Sequence, residues 1–131
     1  DEATSVLLCK LYFYLLSSGI SQLNKMGHPK IHEWMLKSPD RCYQWEVIGH
    51  PECTAYIRIK AGKSRAGRGA YKRAKPFFNM KFDCPTSALK ILLGTGDMFQ
   101  MTANSQLIME GGPEFGVQIG DYMMLVGDLA S

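Results

Sequence analysis

The stretch "QLIMEGGPEFGVQIGDYMMLV", Gln106 to Val126, sets the architecture. Its first part alternates, with Leu107 and Met109 on one side, which predicts a half-buried strand over "SQLIMEG". Gly112-Pro113-Glu114 then opens a helix: glycine at the cap, proline where a missing N–H is harmless, and an acid near the positive dipole end. From there Phe115, Ile119, Tyr122, Met123 and Val126 fall on one helical stripe. The stretch holds no nucleophile, and its only charges are Glu110, Glu114 and Asp121. Six of the eight methionines lie from Met80 onward, so the C-terminal half is unusually rich in soft, adaptable side chains. Either they fill an ordinary core or they enclose a ligand.

Upstream, "PTSALKILLGTG" predicts a helix from Pro85, capped by Thr86 or Ser87 and stopped at Gly94, with Leu89, Leu92 and Leu93 on one face. A short amphipathic turn follows around Met98, Phe99 and Met101. Before it the period is two. Tyr43, Trp45 and Val47 alternate with polar residues, as do Ala55, Ile57 and Ile59, and then Phe78, Met80 and Phe82, which predicts three strands with one apolar face each. Further upstream, "VLLCKLYFYLL" (Val6–Leu16) reads as a helix stopped at Ser17-Ser18-Gly19. It is apolar nearly all round, so it needs covering. A second helix starts near Pro29, carries Ile31, Trp34 and Met35, and ends at Ser38-Pro39. Two helices, three strands, helix, strand, helix is an α+β order, since a doubly wound sheet would alternate throughout.

The chain has 131 residues, 46% of them hydrophobic and 21% charged, which suits one domain with a real core. Four cysteines without a framework pattern, and no secretory segment, point to reduced thiols in a cytoplasmic protein. Val6–Leu16 is too short to span a bilayer and is interrupted by Lys10. The net charge of +3 is local. Residues 60–76 hold seven Lys or Arg and no acid, and the other eight basic residues face twelve acidic ones, a balance of −4. The glycines in this segment suggest a mobile connector. It reads as a solvated hairpin loop, as a contact for anionic membrane, or as a contact for nucleic acid. Nucleic acid ranks below membrane because Tyr71 is the only aromatic in it.

Other motifs lead nowhere. "AGKS" (Ala61–Ser64) lacks the glycine five residues earlier that a phosphate-binding loop requires. "GTG" (Gly94–Gly96) closes a helix, whereas a dinucleotide site needs one opened. His28 and His32, or His50 and Cys53 with Cys42, do not make two tight ligand pairs for zinc. Neither a metal nor another cofactor is expected. Cys42, Cys53 and Cys84 read as strand or strand-end residues, with no local signature of a nucleophile. An enzyme is not expected.

The segment from about Tyr43 to Leu129, and above all Ala88–Met123, resembles the sterol carrier protein 2 (nonspecific lipid-transfer) domain family. Gly94, Gly96-Asp97, Met98–Ala103, "QLIMEG" and "EFGVQIGDYM" stand where that family has a helix-ending glycine, a Gly-Asp-like turn, a second apolar helix, a strand and a closing helix. The family's usual "S-G-K-L" before the strand is here Asn104-Ser105-Gln106-Leu107, without the glycine and lysine. The whole chain is read as one such domain over residues 1–131, with a helical N-terminal part over 1–40 and sheet and closing helices over 41–131. The resemblance implies a five-stranded, mostly antiparallel sheet covered by helices on one face, with an apolar tunnel between them. The implied function is non-catalytic binding and transfer of a fatty acid, acyl-CoA or sterol-like lipid. The tunnel would be lined by Phe78, Met80, Phe82, Leu89, Leu92, Leu93, Met98, Phe99, Met101, Leu107, Met109, Phe115, Ile119, Tyr122 and Met123. Lys63, Arg65, Arg68, Lys72 and Arg73 would touch an anionic surface. The rival reading is an interaction module with a solid core. Its N-terminal helix would make a partner or homodimer contact, and its basic loop would bind an anionic macromolecule.

Overall fold

The computed structural model describes residues 1–130. Ten elements follow in chain order: α1 (Glu2–Lys25), α2 (Pro29–Lys37), β1 (Arg41–Val47), β2 (His50–Lys60), β3 (Lys63–Arg68), β4 (Phe78–Phe82), α3 (Pro85–Leu92), α4 (Met98–Ala103), β5 (Leu107–Glu110) and α5 (Pro113–Ala130). One five-stranded sheet runs β3-β2-β1-β4-β5. Only the β1–β4 pair is parallel. The α+β class and the mostly antiparallel five-stranded sheet are as expected.

The period-two residues share one face. Tyr43, Trp45 and Val47 pair with Phe78, Met80 and Phe82 across β1–β4. With Ala55, Ile57 and Ile59 they are at most 1% exposed. The helices cover this face. Phe13 of α1 stacks on Phe82 at 6.1 Å, and Trp34 of α2 meets Tyr43 edge-on at 5.5 Å. The opposite face is crossed by the segment after β3, where the Tyr71 N–H donates to Gln44 Oε1 (2.8 Å) and Tyr71 packs on Tyr56.

Three expectations are corrected. First, α1 does not stop at Ser17-Ser18-Gly19 but runs 24 residues. Ser17 and Ser21 are buried within it, and the Ser17 hydroxyl donates to the Tyr14 carbonyl. Gly19 is a packing site: a Cβ there would lie 2.8 Å from Val126 Cγ1 of α5, so glycine lets the two helices approach. At the end of α1, Asn24 Nδ2 donates to the Gly62 carbonyl and to Ser64 Oγ (both 3.0 Å), and Ser21 and Ser64 share a bond of 2.9 Å. By length and composition α1 could cross a membrane. In this fold Cys9, Phe13, Leu16 and Ile20 on one of its sides are buried in the core.

Second, half of the basic segment is not a connector. Lys63–Arg68 forms the edge strand β3, paired to β2 through a two-residue turn in which Ala61 (φ 52°) and Gly62 (φ 78°) both take positive φ. Paired positive angles give the turn twist that matches flanking strands. Third, neither Thr86 nor Ser87 caps α3. Cys84 occupies that position, with no side-chain bond to the backbone. Ser87 and Ala88 turn into the core, Leu89 and Leu92 are half-buried, and Leu93 is exposed.

The turn before β5 uses a serine at a positive φ. Ser105 takes φ 60°, a left-handed conformation costing about 1–2 kcal/mol for a residue with a Cβ.

Candidate functional site

The expected tunnel residues are brought together, but as packing. Phe78, Met80, Phe82, Met101, Leu107, Ile119 and Met123 are buried in the core cluster. Leu89, Leu92, Met98, Met109, Phe115 and Tyr122 are partly buried against it, and Leu93 and Phe99 face solvent. An apolar tunnel between sheet and helices is not shown. Two of the methionines fill notches that α5 makes for them. A Cβ on Gly116 would lie 2.4 Å from Met109 Sδ and 3.1 Å from Phe78 Cζ, and one on Gly120 would lie 2.9 Å from Met98 Cε. These two glycines, four apart on one helix face, bring the α5 backbone close over the methionines.

A wide concavity lies elsewhere, between α2 and α5. It is an open groove of about 1050 Å³, at the upper limit of small-molecule sites. Its apolar wall is made of Trp34, Phe115, Val117, Tyr122, Met124 and Leu125. Lys30, Glu33, Lys37, Arg41, Glu114, Asp121 and Asp128 supply the charge around it. Lys37 is paired with Glu33 at 2.7 Å. Trp34 packs against Tyr122 with centroids 4.5 Å apart and the rings tilted by 32°, so one aromatic pair joins the two walls. Only Phe115 and Tyr122 of the expected ligand-binding set line this groove. The signal for the rest was weak, because α2 and α5 are far apart in sequence.

Arg41 opens β1 at one side of the groove. Its guanidinium lies over the Phe77 ring at 3.9 Å and 5.0 Å from the Phe115 centroid. Tyr43, two residues on, is 1% exposed, with Arg41 and Trp34 beside its hydroxyl. Burial pushes the Tyr43 phenol up from its ordinary range, while the adjacent Arg41 and Trp34 pull the other way. The Tyr122 phenol is likewise raised by burial and by Asp121.

The cysteines and histidines take structural places. Cys9 and Cys42 are pushed up to about 12 by burial, so both stay thiols near neutral pH. The Cys9 thiol donates to the Pro85 carbonyl, and the Cys53 thiol to the Val6 carbonyl. His32 bonds Asn24, and His50 sits between Glu2 (3.1 Å) and Glu52 (3.2 Å). Among the described residues no group of three or more His, Cys, Asp or Glu side chains could hold a metal ion. Of the basic residues, Lys63, Arg65, Lys72 and Arg73 are exposed, and Arg68 lies over the Tyr14 ring at 4.1 Å.

No family model matches the sequence, and no curated protein does. Solved structures do match. Sterol carrier protein 2 from Yarrowia lipolytica, in its apo form, aligns with a TM-score of 0.60 at 12% identity over 85% of both chains. A palmitated SCP2L2 from Aedes aegypti gives 0.52 at 12% identity over 83% of this chain and 91% of that one. A double mutant of the sec-alkyl sulfatase PisA1 gives 0.51 at 15% identity over 72% of this chain, which spans only 14% of that enzyme. At such identities the likeness carries the architecture alone. Its element order, its sheet and these alignments give this chain the sterol carrier protein 2 fold.

Proposed function

We propose that the chain binds a hydrophobic ligand of the lipid class in the α2–α5 groove and carries it without catalysis. The observation that carries this reading is the groove itself: a large concavity with an aromatic and aliphatic wall and its charges grouped around it. An acyl chain laid along that wall gains up to about 0.8 kcal/mol per methylene removed from water. The fold adds support, since chains that share it include a sterol carrier protein and a palmitated protein. Phe78 and Met109 pack against α5 at Gly116, and the thioether of Met109 is a side chain that can yield to a longer ligand. Titrating the purified protein with a fatty acid, followed by intrinsic tryptophan fluorescence and by native mass spectrometry, is expected to give saturable one-site binding. Non-saturable partition, with no retained ligand in the mass spectrum, would sink the reading.

Transfer also needs docking at a membrane, and the exposed cations of β3 and of the segment after it are the part of the surface suited to anionic lipid. Each Lys or Arg near such a surface adds about 1 kcal/mol of attraction. Changing Lys63, Arg65, Lys72 and Arg73 to glutamine is expected to slow transfer to anionic vesicles severalfold and to leave transfer to neutral vesicles alone. Equal rates with both vesicle types before and after the change would show a merely solvated edge. A mobility shift of DNA or RNA that the same changes remove would favour the nucleic-acid reading instead.

The interaction-module reading keeps one observation in its favour. Leu7, Leu11 and Leu15 are 65%, 49% and 48% exposed on the flank of α1 opposite its buried side. A second copy of the chain could cover that stripe, and sedimentation across a concentration series reads it directly: a monomer at all concentrations would remove the dimer.

A further inference from the structure

We propose that the face formed by α2 and α5 is a docking surface for a second copy of the chain, related by a two-fold axis that lays α5 of each copy on α2 of the other. The sequence of α5 carries the pattern of a helix-packing seam. Glu114, Val117, Asp121, Met124 and Asp128 follow one another at spacings of three and four, all five are exposed, and all five line the groove. Such a repeat keeps one line of side chains turned toward a neighbouring helix. Here the line alternates acid and apolar residue. Val117 and Met124 are large apolar side chains left open to water, as the covered face of a contact between copies would be.

Charge names the partner. α5 holds three acids and no Lys, Arg or His. The other bank of the groove has three cations, Lys30, Lys37 and Arg41, and one acid, Glu33. The two signs do not cancel within the chain: no described ion pair joins Lys30, Lys37 or Arg41 to Glu114 or Asp121. The spacings also match. Lys30 and Lys37 are seven residues apart on α2, as Glu114 and Asp121 are on α5, which is about 10.5 Å along either helix. An isologous contact pairs each residue with its counterpart twice, so a half-turn sets the acidic line of one copy on the basic line of the other at both places. A foreign partner would need both signs in this same arrangement, and a second copy already has it. The contact uses the wall assigned above to a ligand, so a bound lipid and a second copy exclude each other. The charge pattern itself does not depend on the ligand.

Sedimentation velocity of the purified, lipid-free protein at low salt, over a rising concentration series, reads the contact. The wild type is expected to pass from monomer to dimer. Lys30→Glu with Lys37→Glu turns the α2 line acidic, and Glu114→Lys with Asp121→Lys turns the α5 line basic. Each pair of changes is expected to weaken self-association by about tenfold or more, because like charges then meet at both contacts. All four positions are exposed, so the fold tolerates the changes. An equimolar mixture of the two variants is expected to form a heterodimer about as strong as the wild-type dimer, since every acidic line again meets a basic one. All four changes in one chain are expected to restore the homodimer. A wild type that stays monomeric throughout overturns the proposal. A dimer that neither variant weakens also overturns it and points to the leucine stripe of α1. A mixture that stays monomeric, together with a fourfold variant that does the same, overturns it as well. None of these failures touches the fatty-acid titration, which decides the ligand reading separately.

Discussion

Truncating Phe82 to alanine is expected to cost about 3–5 kcal/mol of folding free energy. Phe82 is fully buried, ends β4 in register with Val47, and stacks on Phe13 of α1. Removing its ring deletes one of the ring contacts between the sheet and the longest helix and leaves a void in the core cluster beside Phe13. For a chain of this length the loss corresponds to a fall in melting temperature of roughly 10–20 °C. Denaturant melts of wild type and variant measure it. The same experiment separates core from tunnel. If Phe82 lined a ligand space, truncation would change lipid affinity with little loss of stability, and a cost below about 1 kcal/mol with weakened binding would refute the packed interior described above.

The second large effect is on binding. Val117 and Met124 lie on the groove wall, seven residues apart on the same side of α5, and are 48% and 68% exposed. Replacing both by aspartate is expected to weaken lipid binding by more than about a hundredfold, because a bound chain would have to desolvate two carboxylates that have no counter-ion. Because both positions already face solvent, the melting temperature should move by only a few degrees. Binding that survives in a folded double variant would place the ligand elsewhere, and the half-buried residues beneath α5 would then be the place to search.

Much of the fold was legible because the sheet is read on one greasy face. The alternation in β1, β2 and β4 named the buried residues correctly, and the stripe of α5 appeared at its helical spacing. β3 escaped because its alternation is one of size and charge. Lys63, Arg65 and Gly67 point one way and Ser64, Ala66 and Arg68 the other, so no hydrophobic signal marks a strand that packs small residues under α1. The Ser17-Ser18-Gly19 break was misread for a related reason. Small residues inside a helix look like a stop until a second helix is known to press against them, and Val126, more than a hundred residues away in sequence, is that partner. The parallel β1–β4 pair and the α2–α5 groove depend on elements that meet only after the chain has crossed the sheet. Local periodicity carries no record of such meetings.

The position of the cations on β3 also governs how the protein tolerates its own company. An outermost strand offers a row of free N–H and C=O groups, a template on which another copy could extend the sheet without limit. A copy approaching this edge would bring its own Lys63, Arg65 and Arg68 against the same three, and like charges at strand spacing repel. β5, at the other edge, has only four residues to offer. Colloidal stability therefore rests on charge at one border and brevity at the other. The first safeguard is conditional: salt shortens the reach of the repulsion, and a polyanion that neutralises the cations would turn the guarded edge into a seed for fibrils.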